Sequence, residues 1–238
     1  MIVTFLSDYG PGDEYVGVVH GVIAKIAPEA RIIDLGHGVP PQDVRTGARR
    51  LARALPFTPP GVHLAVVDPG VGTARRAVAL RVGERLLVGP DNGLLTLAGE
   101  VEQAVDISGS PWRLQPVSAT FHGRDVFAPV TAHLANGEPL AAAGVEIDPA
   151  TLTPLPELRM VQVVEVDGFG NLITNAPLPT RDVRLRGQAI RVGRTFGDVA
   201  PGELVIYEDS AGDVAIGLNG GSAAAALDLK TGDELELR

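Results

Sequence analysis

The 238-residue chain contains no cysteine. That absence excludes disulfides, zinc–cysteine sites and thiol nucleophiles together. Lysine is nearly as scarce: Lys25 and Lys230 are the only two, so arginine carries almost all of the positive charge. Positive charge is itself in deficit, with 20 Lys and Arg against 29 Asp and Glu, a formal net charge of -9. A phosphate-binding surface needs a basic face, so no nucleic-acid partner is expected. No run of about 18 apolar residues occurs that would cross a bilayer as a helix. No basic stretch precedes the first apolar run, as it would in an export signal. The expectation is a cytoplasmic protein with no membrane association.

What is present suffices for a real core: 45% of the residues are apolar. The length allows one large domain or two small ones. Residues 2–6 read as a buried strand. "DEYVGVVHGVIAKIAPEA" carries apolar residues at helical spacing and stops at Pro28, and "RIIDL" is a second strand. "PQDVRTGARRLARAL" reads as a helix with a solvated basic face, and "VHLAVVDPG" as a third strand. Strand, helix, strand, helix, strand predicts an α/β domain with a mainly parallel sheet, over residues 1–140. "RAVALRV" and "ERLLVGPDNG" read as a hairpin, and "RDVFAPVTAHLANG" as a further helix. Residues 141–160 are rich in proline, lack any period and read as a linker. Residues 161–238 hold short alternating runs between turns, which predicts a smaller all-β, barrel-like domain.

Ligands of open α/β sheets bind beyond the carboxyl ends of the strands. Asp8, Asp68 and the Asp of "GPDNG" are expected at that edge. In "VVDPGVGTARR" the glycines permit a tight turn, and Arg75 and Arg76 can reach back toward Asp68. The same stretch is compatible with a plain turn in which Asp68 caps its own backbone. In "TFHGRDVFAP", His122 is either a proton acceptor or a packed residue at a helix start. "VDGFGNLITN" and "YEDSAGDVAIGLNGGSAA" are hairpin loops, or loops that offer Asp167, an exposed ring and Ser210 to a small ligand. No HExxH spacing and no G-x-S-x-G elbow is present. An Asp-rich metal hydrolase of phosphate esters is a further reading.

Taken in order, these stretches resemble one family: the S-adenosyl-L-methionine (SAM) hydrolases, or SAM hydroxide adenosyltransferases, relatives of the SAM-dependent fluorinase and chlorinase. The matching pieces are "SDYG", "PPQDVRTGARRL", "VVDPGVGTARR", "VGPDNGLL", "TFHGRDVFAP", "DGFGNLITN" and "NGGSAAAAL". The resemblance implies hydrolysis of SAM to adenosine and L-methionine by attack of water or hydroxide on ribose C5′. It implies no cofactor, SAM being the substrate, and no metal. It implies a homotrimer, with SAM between the α/β domain of one subunit and the β domain of its neighbour. The reacting trio it implies is Asp68, Arg75 and His122. Asp8 matches the carboxylate that holds the two ribose hydroxyls. Asp167 and Ser210 match residues around the methionine amino and carboxylate groups. Phe169 and Asn171 match the adenine side, completed by backbone near Leu218 and Gly220. A 5′-halogenase of the same family and a non-catalytic adenosine- or SAM-binding protein are the alternatives. The polar pair Asp68 and His122 favours water over halide.

Overall fold

A computed structural model describes all 238 residues. The chain divides into two units, Met1–Pro156 and Glu157–Arg238.

In the first unit, β1 (Ile2–Ser7), α1 (Tyr15–Ile26), β2 (Arg31–Gly36), α2 (Val44–Ala54) and β3 (Val62–Val66) succeed one another as the apolar periods predict. Neighbouring residues of β1 and β3 point to opposite faces of the sheet. Val3, Phe5, Leu64 and Val66 pack in one cluster with Val19 and Ile23 of α1. Leu6, Ala65 and Val67 pack in another with Ala48 and Leu51 of α2. The two helices therefore cover opposite faces, and strands buried on both sides read as unbroken apolar runs. Asp43 caps α2, its carboxylate accepting the Thr46 N–H at 3.0 Å.

The chain continues through β4 (Ala77–Val82), β5 (Arg85–Pro90), β6 (Gln103–Asp106), α3 (Ala128–Ala135) and β7 (Val145–Ile147). The sheet order is β2-β1-β3-β5-β4-β6-β7. Pairings from β2 to β5 are parallel, and those from β5 to β7 are antiparallel. The expected mainly parallel sheet is thus corrected to a mixed one. Gly83 and Glu84 alone join β4 to β5, and a two-residue connection is too short for a crossover. β1, β3 and β5 point the same way, so Asp8, Asp68 and Asp91 follow their strands at one edge.

Residues 141–160 are not a free linker. β7 pairs with β6, Thr153 N–H donates to Asp91 Oδ1 at 2.7 Å, and both Thr151 oxygens accept from Arg76. Bonds between side chains and irregular backbone leave no periodic trace in a sequence, so this stretch looks unstructured when read alone.

The second unit holds β8 (Val163–Val166), β9 (Leu172–Thr174), β10 (Val183–Leu185), β11 (Gln188–Val192), β12 (Leu204–Glu208), β13 (Val214–Leu218) and α4 (Ala223–Leu227). Its sheet runs β10-β11-β12-β13-β9-β8. The expected all-β domain is corrected by one element, a helix. α4 buries Ala223 and Leu227 in the core, and β11 pairs with β12 in parallel. The alanine run favours helix, and Ser222 caps it by accepting the Ala225 N–H at 3.1 Å, but five residues are too few to show a period.

The strands do not close on themselves, yet the chain end fastens both edges. Leu235 N–H donates to Val161 O beside β8, at 2.8 Å, and Arg238 N–H donates to Arg184 O on β10, at 3.1 Å. Three residue steps reach roughly 10 Å, whereas a flat six-stranded sheet is about 24 Å from edge strand to edge strand. The sheet must curl to bring its edges within that reach. No helix of the chain is long and apolar enough to cross a membrane.

Candidate active site

The edge beyond β1 and β3 surrounds a cavity of about 340 Å³, lined among others by Asp8, Tyr9, Gln42, Asp68, Thr120 and His122. Asp8 Oδ2 accepts the Gln42 N–H at 2.9 Å. Its Oδ1 and the remaining lone pairs are available to a ligand. Behind the cavity, Arg75 holds Asp68 bidentately: Nε donates to Oδ1 at 3.1 Å and Nη2 to Oδ2 at 2.5 Å. The same Nη2 lies 3.1 Å from His122 Nδ1. The guanidinium stacks over Phe127, with 5.4 Å from Cζ to the ring centre. Arg75 and Asp68 are 8% and 6% exposed, so their attraction is weakly screened by water.

Arg76 does not reach Asp68. Its Nε donates to Asp91 Oδ2 at 2.8 Å, and that pair anchors residues 151–153.

The protonation states follow from these partners. A guanidinium has only donors, so His122 Nδ1 must accept and the neutral ring carries its proton on Nε2. Burial, reinforced by the Arg75 charge, lowers the His122 pKa and favours that neutral form. Burial raises the Asp68 pKa against the opposing pull of Arg75, which makes the carboxylate a stronger base than an exposed one. Tyr9 is pushed far above the ordinary phenol range by burial and then by Asp8 and Asp68, so its hydroxyl stays protonated.

Two glycines set the spacing of the site. A Cβ on Gly123 would stand 2.0 Å from the Tyr9 hydroxyl. Gly72, at φ +76°, passes so close to the loop before His122 that a Cβ would stand 2.3 Å from Ala119 O. Larger residues at either position would push the Asp68–Arg75 turn or Tyr9 away from His122. Tyr9, Tyr15 and Phe121 form an aromatic wall with centroids 5.1–5.9 Å apart. Sequence reasoning assigned no role to Tyr9, Gly123 or the Gln42 N–H, and read Gly72 only as a glycine of a tight turn. The signal available for the first of these was an aromatic directly beside Asp8.

The remaining site candidates lie in the second unit. Asp167 Oδ1 accepts the N–H groups of Phe169 and Asn171, both at 2.9 Å, and Oδ2 accepts Asn171 Nδ2 at 2.8 Å. This closed turn leaves Phe169 85% exposed instead of packed inward. Gly170 lies against Ser222, which brings the 167–171 turn beside the turn holding Leu218 and Gly220. Ser210 sits apart from them, in the β12–β13 turn at the opposite end of β13 from Leu218.

Known proteins resemble this chain along nearly its whole length. The description "SAM hydroxide adenosyltransferase N-terminal domain" matches residues 3–144, and the corresponding C-terminal domain matches residues 161–236. The chain is 52% identical to the (R)-S-adenosyl-L-methionine hydrolase of Salinispora tropica, over 99% of this chain and 97% of that one. It is 46% identical to the protein of the same name from Thermus thermophilus, over 99% and 98%. A fluorinase from an Actinoplanes species is more distant, at 29% over 97% and 95%. Among solved structures, an uncharacterized conserved protein from Thermotoga maritima superposes with a TM-score of 0.90 at 37% identity, over 99% of both chains. Matches to both halves, in order and over nearly the full length, place this chain in the SAM hydroxide adenosyltransferase family.

Proposed function

We propose that this protein is an enzyme that hydrolyses S-adenosyl-L-methionine to adenosine and L-methionine. The observation that carries the reading is one guanidinium, Arg75, bonded at once to Asp68 and His122 beside a cavity that also presents Asp8. Relatives at about half identity over the full chain bear the matching name.

In this reading Asp8 accepts both ribose hydroxyls, which fixes the direction of C5′. Water lies between Asp68 and His122. It attacks C5′ in line with the departing sulfur, the C5′–S bond breaks, and methionine leaves as a neutral thioether. No acid is needed for that leaving group. One proton is released per turnover, and Asp68 receives it. His122 does not, because its Nδ1 is engaged by Arg75 and its Nε2 already bears a proton. The Nε2–H instead donates to the attacking oxygen, and Arg75 favours developing hydroxide by its charge. Proton acceptance of this kind contributes typically about 10²–10⁴ in rate. Holding oxygen and C5′ in contact contributes roughly 7–11 kcal/mol.

The reading extends to a cytoplasmic homotrimer that needs no cofactor. Across the trimer, Phe169, Asn171 and backbone near Leu218 and Gly220 serve adenine, and Asp167 and Ser210 serve the methionine end. The Asp167 carboxylate is already engaged by its own turn, so it meets the amino group through its remaining lone pairs.

The test is incubation with SAM in water enriched in heavy oxygen. Adenosine labelled at its 5′ oxygen, with free methionine, is expected, and EDTA leaves the yield unchanged. Unlabelled adenosine, or none, overturns the reading, and 5′-chloroadenosine formed in chloride identifies a halogenase. Light scattering should give three times the 24.8 kDa chain mass; a monomer overturns the trimer.

A further inference from the structure

A second cluster of chemistry-bearing side chains lies outside that trio. His20 projects from α1, Asp34 from β2, and His37 follows the end of β2. His20 Nε2 stands 2.8 Å and His37 Nε2 3.1 Å from the same oxygen, Asp34 Oδ1. The three possible ligand atoms all lie within 4.8 Å of one another. A tetrahedral zinc ion with bonds of about 2.0–2.1 Å holds its ligand atoms roughly 3.3 Å apart. Small rotations reach that spacing, because His20 and Asp34 are partly open to solvent, at 33% and 41% exposed.

Two further features point to a cation and not to a plain ion pair. His37 Nε2 is buried and makes no hydrogen bond, since its approach to the carboxylate lacks the required N–H direction. Its other nitrogen, Nδ1, lies 2.8 Å from Ser7 Oγ. Histidines that bind metals are oriented in this way, by a hydrogen bond on the second ring nitrogen. The ring is backed by the fully buried Phe5, with centroids 4.6 Å apart.

We propose that His20, Asp34 and His37 form a binding site for a divalent transition-metal ion of the zinc type. Two imidazoles and one carboxylate suit zinc, cobalt or nickel better than magnesium or calcium, which prefer oxygen. The carboxylate balances half of the ion's charge, and water fills the outward positions. The site is structural in effect. Ser7 Oγ, which contacts His37, also accepts the Tyr9 N–H at 3.3 Å, so a seated ion steadies the turn that carries Asp8. The proposal stands independently of the SAM reaction.

The full-length, untagged chain is stripped with EDTA, dialysed and titrated calorimetrically with zinc chloride at neutral pH. One zinc per chain is expected, with a rise in the thermal midpoint. His20→Ala and Asp34→Asn each weaken binding by at least about tenfold and abolish the rise. Cobalt added to the wild type should give the visible absorption of a low-coordinate, nitrogen-ligated ion. The proposal is overturned by no saturable zinc binding, or by binding that neither variant alters. If a variant is unstable, the wild-type cobalt spectrum decides: an octahedral, water-like spectrum overturns the site.

Discussion

Asp68 gives both oxygens to a guanidinium seven residues along the chain, and that guanidinium also reaches His122, 47 residues further on. Asp167, in the second unit, gives its oxygens to groups only two and four residues ahead, within its own turn. The first pattern is buried and ties distant loops together, so its geometry depends on the whole packed unit. The second is local and only partly buried, and the turn that it stiffens holds a bare phenyl ring outward. The Asp68–Arg75–His122 contacts are cross-links at long range, whereas the Asp167 turn is held by its immediate neighbours. Preorganisation of the first kind is what lowers a barrier, because the dipoles need not reorganise as charge develops.

The strongest way to break the contrast is Arg75→Ala. It removes one donor group shared by two acceptors and leaves the Asp68 carboxylate buried and unpaired. kcat/KM for SAM should fall about 10³-fold, measured by adenosine release. Arg75→Lys should recover little, since an ammonium cannot bridge both partners in that geometry.

Next in size is acid sensitivity, because all five histidines lie in the first unit. His63 is fully buried, and burial, reinforced by Arg85, lowers its pKa from 6.5 to about 4. The unfolded chain takes up that proton below 6.5 while the folded chain refuses it until about 4. Stability is therefore lost as pH falls through this window, by roughly 3 kcal/mol from this group. In the second unit, N–H groups of Arg194 and Thr195 hold the Asp198 carboxyl below its ordinary 3.8. Its contribution is present above that value and is lost only as pH falls through the lowered pKa. Hydrogen exchange resolved by unit should show the first unit losing protection earlier on acidification, and His63→Gln should shrink that loss.

A smaller effect is expected for Asp8→Ala, which keeps the Asp68–Arg75–His122 geometry and removes the diol acceptor. Adenosine affinity should fall about 10–100-fold by calorimetry, and unchanged affinity would remove Asp8 from the ribose role. Smallest in stability is Phe169→Ala, within about 0.5 kcal/mol, because the ring is already in water. Its adenosine affinity should still drop several-fold, and equal losses in stability and affinity would make Phe169 a structural residue.

The sequence was most legible where packing imposes a period. β1 to β3 are explained by two helices that cover both sheet faces, and that alternation predicted Asp8 and Asp68 at one edge. The direction of pairing past β5 was not legible, because an apolar strand carries the same pattern whichever way its neighbour runs. Residues 141–156 were missed because Arg76 and Asp91 hold them from a distance, with no period to betray it. In the site, the motif order singled out Asp68, Arg75 and His122, which the fold brings together, but not how they are wired. That Arg75 grips Asp68 through two nitrogens and thereby fixes the His122 proton depends on a turn whose close approach to Ala119 only coordinates reveal.

The tail of the second unit is a clasp on a hoop. Its few residues touch the outermost strands on either side, so releasing them frees two unpaired edges in one event. A chain ending before Asp233 would spring open and present both rims to other molecules, the usual route to edge-to-edge aggregation. The integrity of the six-stranded sheet thus depends on residues 233–238, which belong to none of its six strands.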